Sequence, residues 1–154
     1  MEGDNQLVVA TTVTNNASDQ GQLIPMVDAV VQTCGETREQ VLADAGYCNE
    51  PNLQALKERD IDGYVPLARE GKAAADPDPN DYPAKARMAE KLASDEGRKR
   101  YARRKWMAEA PVGWIKEVMG FRRFSFRGLQ KVEAEWALVC LALNVKRLHT
   151  LQAA

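Results

Sequence analysis

The spacing of apolar residues changes period along the chain, and each change predicts an element. From Gln6 to Thr14 the run QLVVATTVT is rich in β-branched side chains and free of Gly and Pro. It predicts a strand, and NNASDQG after it predicts a turn. Beyond Gly21, Leu23, Met26, Val27, Val30 and Val31 recur at spacings of three and four. That is one face of a helix, which Gly35 ends, with Asp19 as its cap and Pro25 in its first turn. QVLA then forms a short strand with Asp44 at its end. Asn49 caps the next helix, with Pro51 in its first turn and Leu53 and Leu56 pointing inward. IDGYVPLA, from Ile61 to Ala68, reads as the following strand. Strand, helix and strand within this length make a βαβ unit whose two strands run parallel.

The second half has a different grain. Residues 70–84 carry prolines and acids without apolar periodicity, which predicts an exposed loop. Ala84 to Gly120 is rich in Ala, Lys, Arg, Glu and Met and poor in β-branched residues, a helical region with breaks at Gly97 and Pro111. FRRFSFRG, from Phe121 to Gly128, alternates aromatic and basic residues. A last helix runs from about Leu129 to Leu151, with Val132, Trp136, Val139, Leu143 and Val145 to Leu148 as its core face.

A chain of 154 residues is long enough to bury a core as one domain, since a domain of this size hides about 70% of its unfolded surface. Three cysteines, widely spaced and without a CxxC pair, suggest neither a disulfide framework nor a zinc site. They fit a reducing cytoplasm. The first residues lack a basic and apolar leader, and no run approaches the roughly 18 apolar residues of a membrane span. Charge changes the picture most. Residues 1–84 hold 5 basic and 15 acidic side chains, a balance of −10, whereas residues 85–131 hold 14 basic and 5 acidic, a balance of +9. Such asymmetry points to a nucleic acid or other polyanion as partner; the competing reading is that the two segments neutralise each other within the fold.

Two acids stand out. In parallel sheets functional side chains gather at the carboxyl ends of strands, where Asp44 stands. It is a candidate metal ligand, and equally a candidate turn residue. Glu109 is a single carboxylate in a basic helix, among Arg103, Arg104, Lys105, Lys116, Arg122 and Arg123. Helical spacing allows it an ordinary salt bridge to Lys105 or Lys116. His149, the only histidine, has no partner at the spacing of a nucleophilic triad. Cys48 and Cys140 read as small core residues. Trp106, Trp114 and Trp136 read as core, with stacking on an unpaired base the alternative for Trp106.

The segments VLADAGYCNEPNL and YARRKWMAEAPVGWIKEVMGFRRFSFRGLQKVEAEWALVCLALNVKRL resemble the C-terminal half of bacterial insertion-sequence transposases with a DDE catalytic triad, in the group whose signature is Tyr, Arg, Glu, Lys. The resemblance covers nearly the whole chain. It implies an α/β, ribonuclease-H-like transposase core, N-terminally truncated, with a helical C-terminal part. Asp44 is similar to the second catalytic aspartate and Glu109 to the catalytic glutamate, and both would be ligands of Mg²⁺ or Mn²⁺. Tyr101, Arg104 and Lys116 are similar to the other signature residues, which hold DNA near the scissile bond. With Lys105, Arg122 and Arg123 they form the expected DNA-binding set, on a DNA-facing segment spanning residues 85–131.

Six residues separate Glu109 from Lys116, as in the family, but Arg104 and Glu109 stand one residue further apart than usual. The sequence Glu109-Ala110-Pro111-Val112-Gly113 replaces the usual Glu-Pro-Val-Phe-Gly. The first catalytic aspartate is expected on a strand just before GDNQLVVA, and Glu2 is the nearest acid to its place. Metal-dependent strand cleavage and transfer uses two ions about 4 Å apart, held by several carboxylates. The resemblance therefore implies a transposase fragment, weak or inactive alone, that acts on transposon ends. The alternative is a non-catalytic remnant that binds DNA or a full-length transposase. A second copy of the chain is a further expected partner.

Overall fold

The computed structural model describes residues 3, 5–36, 39–73 and 75–153. Their contacts gather in two compact units, residues 17–104 and residues 1–16 together with 105–154.

In the first unit, α1 spans Leu23–Cys34 and buries Leu23 and Val27. It stops at Gly35, whose left-handed backbone (φ 75°) turns its N–H onto the Val31 carbonyl, a conformation that glycine adopts without a Cβ penalty. Asp19 precedes a short 3₁₀ turn over Gln20–Gln22 but makes no side-chain cap, because its backbone is already helical (φ −84°, ψ −7°). A capping side chain needs an extended backbone to reach the N–H groups ahead of it.

Strand β1 (Gln40–Leu42) and strand β2 (Asp62–Tyr64) pair in parallel, Gln40 opposite Asp62 and Leu42 opposite Tyr64. The crossover between them is α2, Glu50–Glu58. Asn49 caps it as expected, its side chain accepting from the Asn52 N–H at 2.8 Å. The strand expected over residues 61–68 is shorter because β1 offers three partners, and Pro66 lacks the N–H that would extend a ladder. Leu53, Leu56, Ile61 and Val65 pack with Leu23, Val27, Ala84 and Met88 into the core of this unit. At Gly63 the sheet lies so close to α2 that a Cβ would stand 2.7 Å from Leu56 Cδ1.

The helical region begins with α3, Pro83–Ala93. Tyr82 supplies no cap, and the Glu50 carboxylate accepts instead from the N–H groups of Ala84 (2.5 Å) and Lys85 (3.0 Å). An anion there also complements the positive end of the helix dipole. Next comes α4, Asp95–Arg104. The expected break at Gly97 falls three residues earlier, at Ser94, whose hydroxyl accepts from the Gly97 N–H at 3.0 Å. Gly97 makes that junction possible, since a Cβ on it would lie 1.9 Å from the Lys91 carbonyl oxygen.

In the second unit, Lys105–Glu109 wind as a π-helix and α5 covers Ala110–Glu117, with Pro111 in its first turn. Gly120 (φ 69°) reverses the chain so that the Phe121 N–H reaches the Ile115 carbonyl. After the segment 121–128, α6 spans Leu129–Gln152. Ile115, Val139 and Leu143 form the core, with Val8, Trp114, Phe121 and Trp136 packed on it.

Two of the expected elements differ in this unit. Residues 6–14 are not a strand; among the described residues only β1 and β2 are. Gln6 has a positive φ of 56°, and the groups of Val8 that a neighbouring strand would take are bonded to one side chain. Its N–H donates to Asn144 Oδ1 and its carbonyl accepts from Asn144 Nδ2, both at 2.8 Å. The core face of α6 is also shorter than expected, because Val145 and Leu148 are exposed. Segment 5–16 bonds α6 through Asn144 and Arg147, and one residue further along a helix is a rotation of about 100° away from that face. Among the described residues, no helix is long and apolar enough to cross a membrane.

Candidate functional site

Asp44 leaves β1 with an extended backbone, and its Oδ1 accepts from the Ala45 N–H at 3.0 Å, which starts a 3₁₀ turn over Ala45–Tyr47. Its other oxygen, Oδ2, lies 3.0 Å from Nη2 of Arg104 in the last turn of α4. The Arg104 guanidinium also sits 6.0 Å from the centre of the Tyr101 ring. Burial pushes the Tyr101 hydroxyl up; the nearby Arg104 charge opposes that shift and the Asp44 charge adds to it. Asp44, Tyr101 and Arg104 therefore form one cluster in the first unit. The turn reading of Asp44 is realised, and the carboxylate is occupied by an arginine as well.

Glu109 ends the π-helical segment and is exposed. Neither Lys105 nor Lys116 forms an ion pair with it among the described residues. Lys105 and Glu109 bound the π-helical segment, where the α-helical register assumed for a pair four apart does not apply, and Lys116 lies seven residues on in α5, about 10 Å along the axis. Glu2, the expected stand-in for the first aspartate, lies outside the described residues.

Several cations of the basic segment have ion-pair partners, and others, Arg87 and Lys99 of the first unit among them, are exposed without one among the described residues. In the first unit Lys91 pairs with Asp62, Arg98 with Asp95, Arg100 with Glu96 and Arg104 with Asp44. Burial opposes the Asp62 charge, but the Lys91 ammonium and the Gln40 amide hold its carboxyl below the usual range. In the second unit Arg122 is held by both oxygens of Glu117 (2.8 and 2.7 Å). Lys105, Lys116, Arg123, Arg127 and Lys131 are exposed and have no ion pair among the described residues. Neutralisation within the fold thus accounts for much of α3 and α4 and for little of residues 105–131. Trp106 is 48% exposed, not core, and its carbonyl accepts from the Gln6 side chain.

Trp136 packs on the core, as its place on the α6 stripe predicts, and it also meets phenylalanines of FRRFSFRG. Phe121, Phe124 and Trp136 form a three-ring cluster with centroids 5.4, 6.1 and 6.4 Å apart. The segment that carries the phenylalanines is clipped to α6 by Glu135, which accepts from the N–H groups of Ser125 and Phe126 at 2.9–3.1 Å. Burial works against that carboxylate, but the bonds from Ser125 and Phe126 hold its pKa below the usual value.

Among the described residues no group of three or more His, Cys, Asp and Glu side chains is placed to hold a metal ion. In comparisons with known proteins, the family model described as "Transposase DDE domain" matches residues 1–145. No curated protein and no solved structure matches the chain.

Proposed function

The chain belongs to the DDE transposase family, and we propose that it acts in DNA transposition by binding DNA, transposon ends above all, through the cations of residues 85–131. The observation that carries this reading is the set of five exposed cations of residues 105–131, Lys105, Lys116, Arg123, Arg127 and Lys131, left without ion pairs among the described residues. Exposed cations without internal partners attract a polyanion. Tyr101, Arg104 and Arg122 complete the proposed DNA contacts. The parallel βαβ unit, with Asp44 just past the carboxyl end of β1, supports a ribonuclease-H-like core.

Asp44 and Glu109 are the proposed catalytic carboxylates for strand cleavage and transfer, the reaction for which Mg²⁺ or Mn²⁺ is the proposed cofactor. The donor set as placed does not fit such an ion. Asp44 gives one oxygen to the Ala45 N–H and the other to Arg104, and no group of three ligating side chains gathers among the described residues. The guanidinium would have to leave before a metal entered. The chain alone is therefore weak or inactive in strand cleavage. The same ion pair favours a second reading, a non-catalytic chain that binds DNA or a complete transposase.

Incubation of supercoiled plasmid with the chain in Mg²⁺ or Mn²⁺, resolved on a gel, tests both readings. The expected result is a mobility shift from binding with little or no conversion to nicked circles. Rapid nicking that disappears in Asp44→Asn would overturn the claim of a weak site. No shift at all would overturn the DNA reading.

A further inference from the structure

The second unit contains a groove of about 430 Å³ whose lining includes Phe121, Phe124 and Trp136, with Lys116, Arg122 and Arg123 among its charged residues. Its size lies within the range of pockets that hold small molecules or single residues of a polymer. Phe124 remains 42% exposed although it touches the other two rings. A ring recruited only to fill a core would be expected deeper.

Charge limits what can occupy the groove. Lys116 and Arg123 have no ion pair among the described residues, and Arg122 is matched by Glu117, so the groove has two uncompensated positive charges beside an aromatic wall. An acyl chain would leave those cations unanswered. A base pair inside duplex DNA presents its edges, because its faces are covered by its neighbours. An unpaired nucleotide offers both a flat π-face for the rings and phosphates for the cations, the combination by which aromatic and basic grooves take single strands. We infer that this groove binds an unpaired nucleobase of single-stranded DNA, stacked on Phe124, with its flanking phosphates at Lys116 and Arg123. The inference rests on the proposed DNA-binding function and adds a preference for strands whose bases are free.

The test is fluorescence anisotropy of the full chain with three labelled probes: a thymidine dodecamer, a twelve-base-pair duplex, and a dodecamer of abasic sites with the same phosphates. Phe124→Leu keeps an apolar side chain but removes the ring, and Phe124→Trp keeps a ring. Phe124→Leu should bind the thymidine probe about 5- to 150-fold more weakly, the effect of losing one stacked base, with duplex binding unchanged. Phe124→Trp should retain the parent affinity. The parent should bind the abasic probe as weakly as Phe124→Leu binds the thymidine probe.

Three results would overturn the inference while leaving DNA binding intact: Phe124→Leu binding the thymidine probe like the parent, losing the thymidine probe and duplex equally, or a parent that does not distinguish thymidine from abasic DNA. A parent that binds none of the probes would overturn the DNA reading itself, and the groove assignment with it.

Discussion

Changing Asn144 to Asp tests why residues 6–14 fold as a side-chain-bonded segment and not as a strand. The Asn144 amide accepts from the Val8 N–H and donates to the Val8 carbonyl, each at 2.8 Å. Asn144→Asp is nearly isosteric and keeps the acceptor, but it faces the Val8 carbonyl with a carboxylate oxygen. One hydrogen bond is lost and one acceptor is left unsatisfied. Asn144 is half-buried, so the cost lies at the lower end for such a loss, about 1–2 kcal/mol. That corresponds to a fall in Tm of roughly 2–8 °C for a chain of this size.

The sign with pH distinguishes this mechanism from a general loss of packing. Protonated, the introduced carboxyl can donate to the Val8 carbonyl, so its folded pKa is raised above the unfolded value of about 3.9. The restored bond is fully present below that value and is lost as pH rises through the folded pKa. Thermal denaturation followed by circular dichroism should therefore show Asn144→Asp closest to the parent near pH 3 and furthest from it at pH 7. Asn144→Ala, which loses both bonds, should show no such recovery. An Asn144→Asp deficit that does not change with pH would refute the reasoning.

Two further outcomes follow from the first unit. The Asp62 carboxyl is held below its usual range chiefly by Lys91 and Gln40 despite some burial, so the stability it contributes is present above the unfolded pKa and lost as pH falls through the folded one; acid titration of Asp62→Asn should show a shallower loss of stability below about pH 4 than the parent, and identical acid profiles would count against the pair. Arg104→Gln removes the cation that occupies Asp44, so Mn²⁺ binding measured by calorimetry should tighten relative to the parent, with the gain absent when Asp44→Asn is added; equal affinities in Arg104→Gln and parent would mean that Asp44 plays no part in holding a cation.

What the sequence made legible is what near neighbours decide. Asn49 caps α2 because the N–H it satisfies lies three residues away, and Gly35 ends α1 because a left-handed residue favours glycine wherever it stands. The parallel pair followed from the length of the crossover between Leu42 and Asp62. Distant partners were not legible. Val8 meets Asn144 across 136 positions, and Glu50 caps α3 across 34; no local pattern records either contact. The same holds at the candidate site, where the local pattern leaves Asp44 open between metal ligand and turn residue and does not record Arg104, sixty positions on, at one of its oxygens. At Glu109 the local pattern did not record the π-helical winding of Lys105–Glu109, and Lys116, seven residues on in α5, stands about 10 Å along the axis. The alternation in FRRFSFRG was visible, but its meaning depended on Trp136, which a helical periodicity assigned to the core.

The central claim is that the unpaired cations of residues 105–131 bind DNA, and the salt dependence of binding tests it most directly. Five phosphate contacts, one for each of Lys105, Lys116, Arg123, Arg127 and Lys131, predict a slope of log K against log salt of about −4.5 on duplex DNA. Replacing Arg123 and Arg127 by Gln should bring the slope to about −2.7. Anisotropy titrations of a labelled duplex across a series of salt concentrations measure both slopes. A steep parent slope reduced in the double variant is the expected result, and absent binding, or a slope near zero in the parent, would contradict the account.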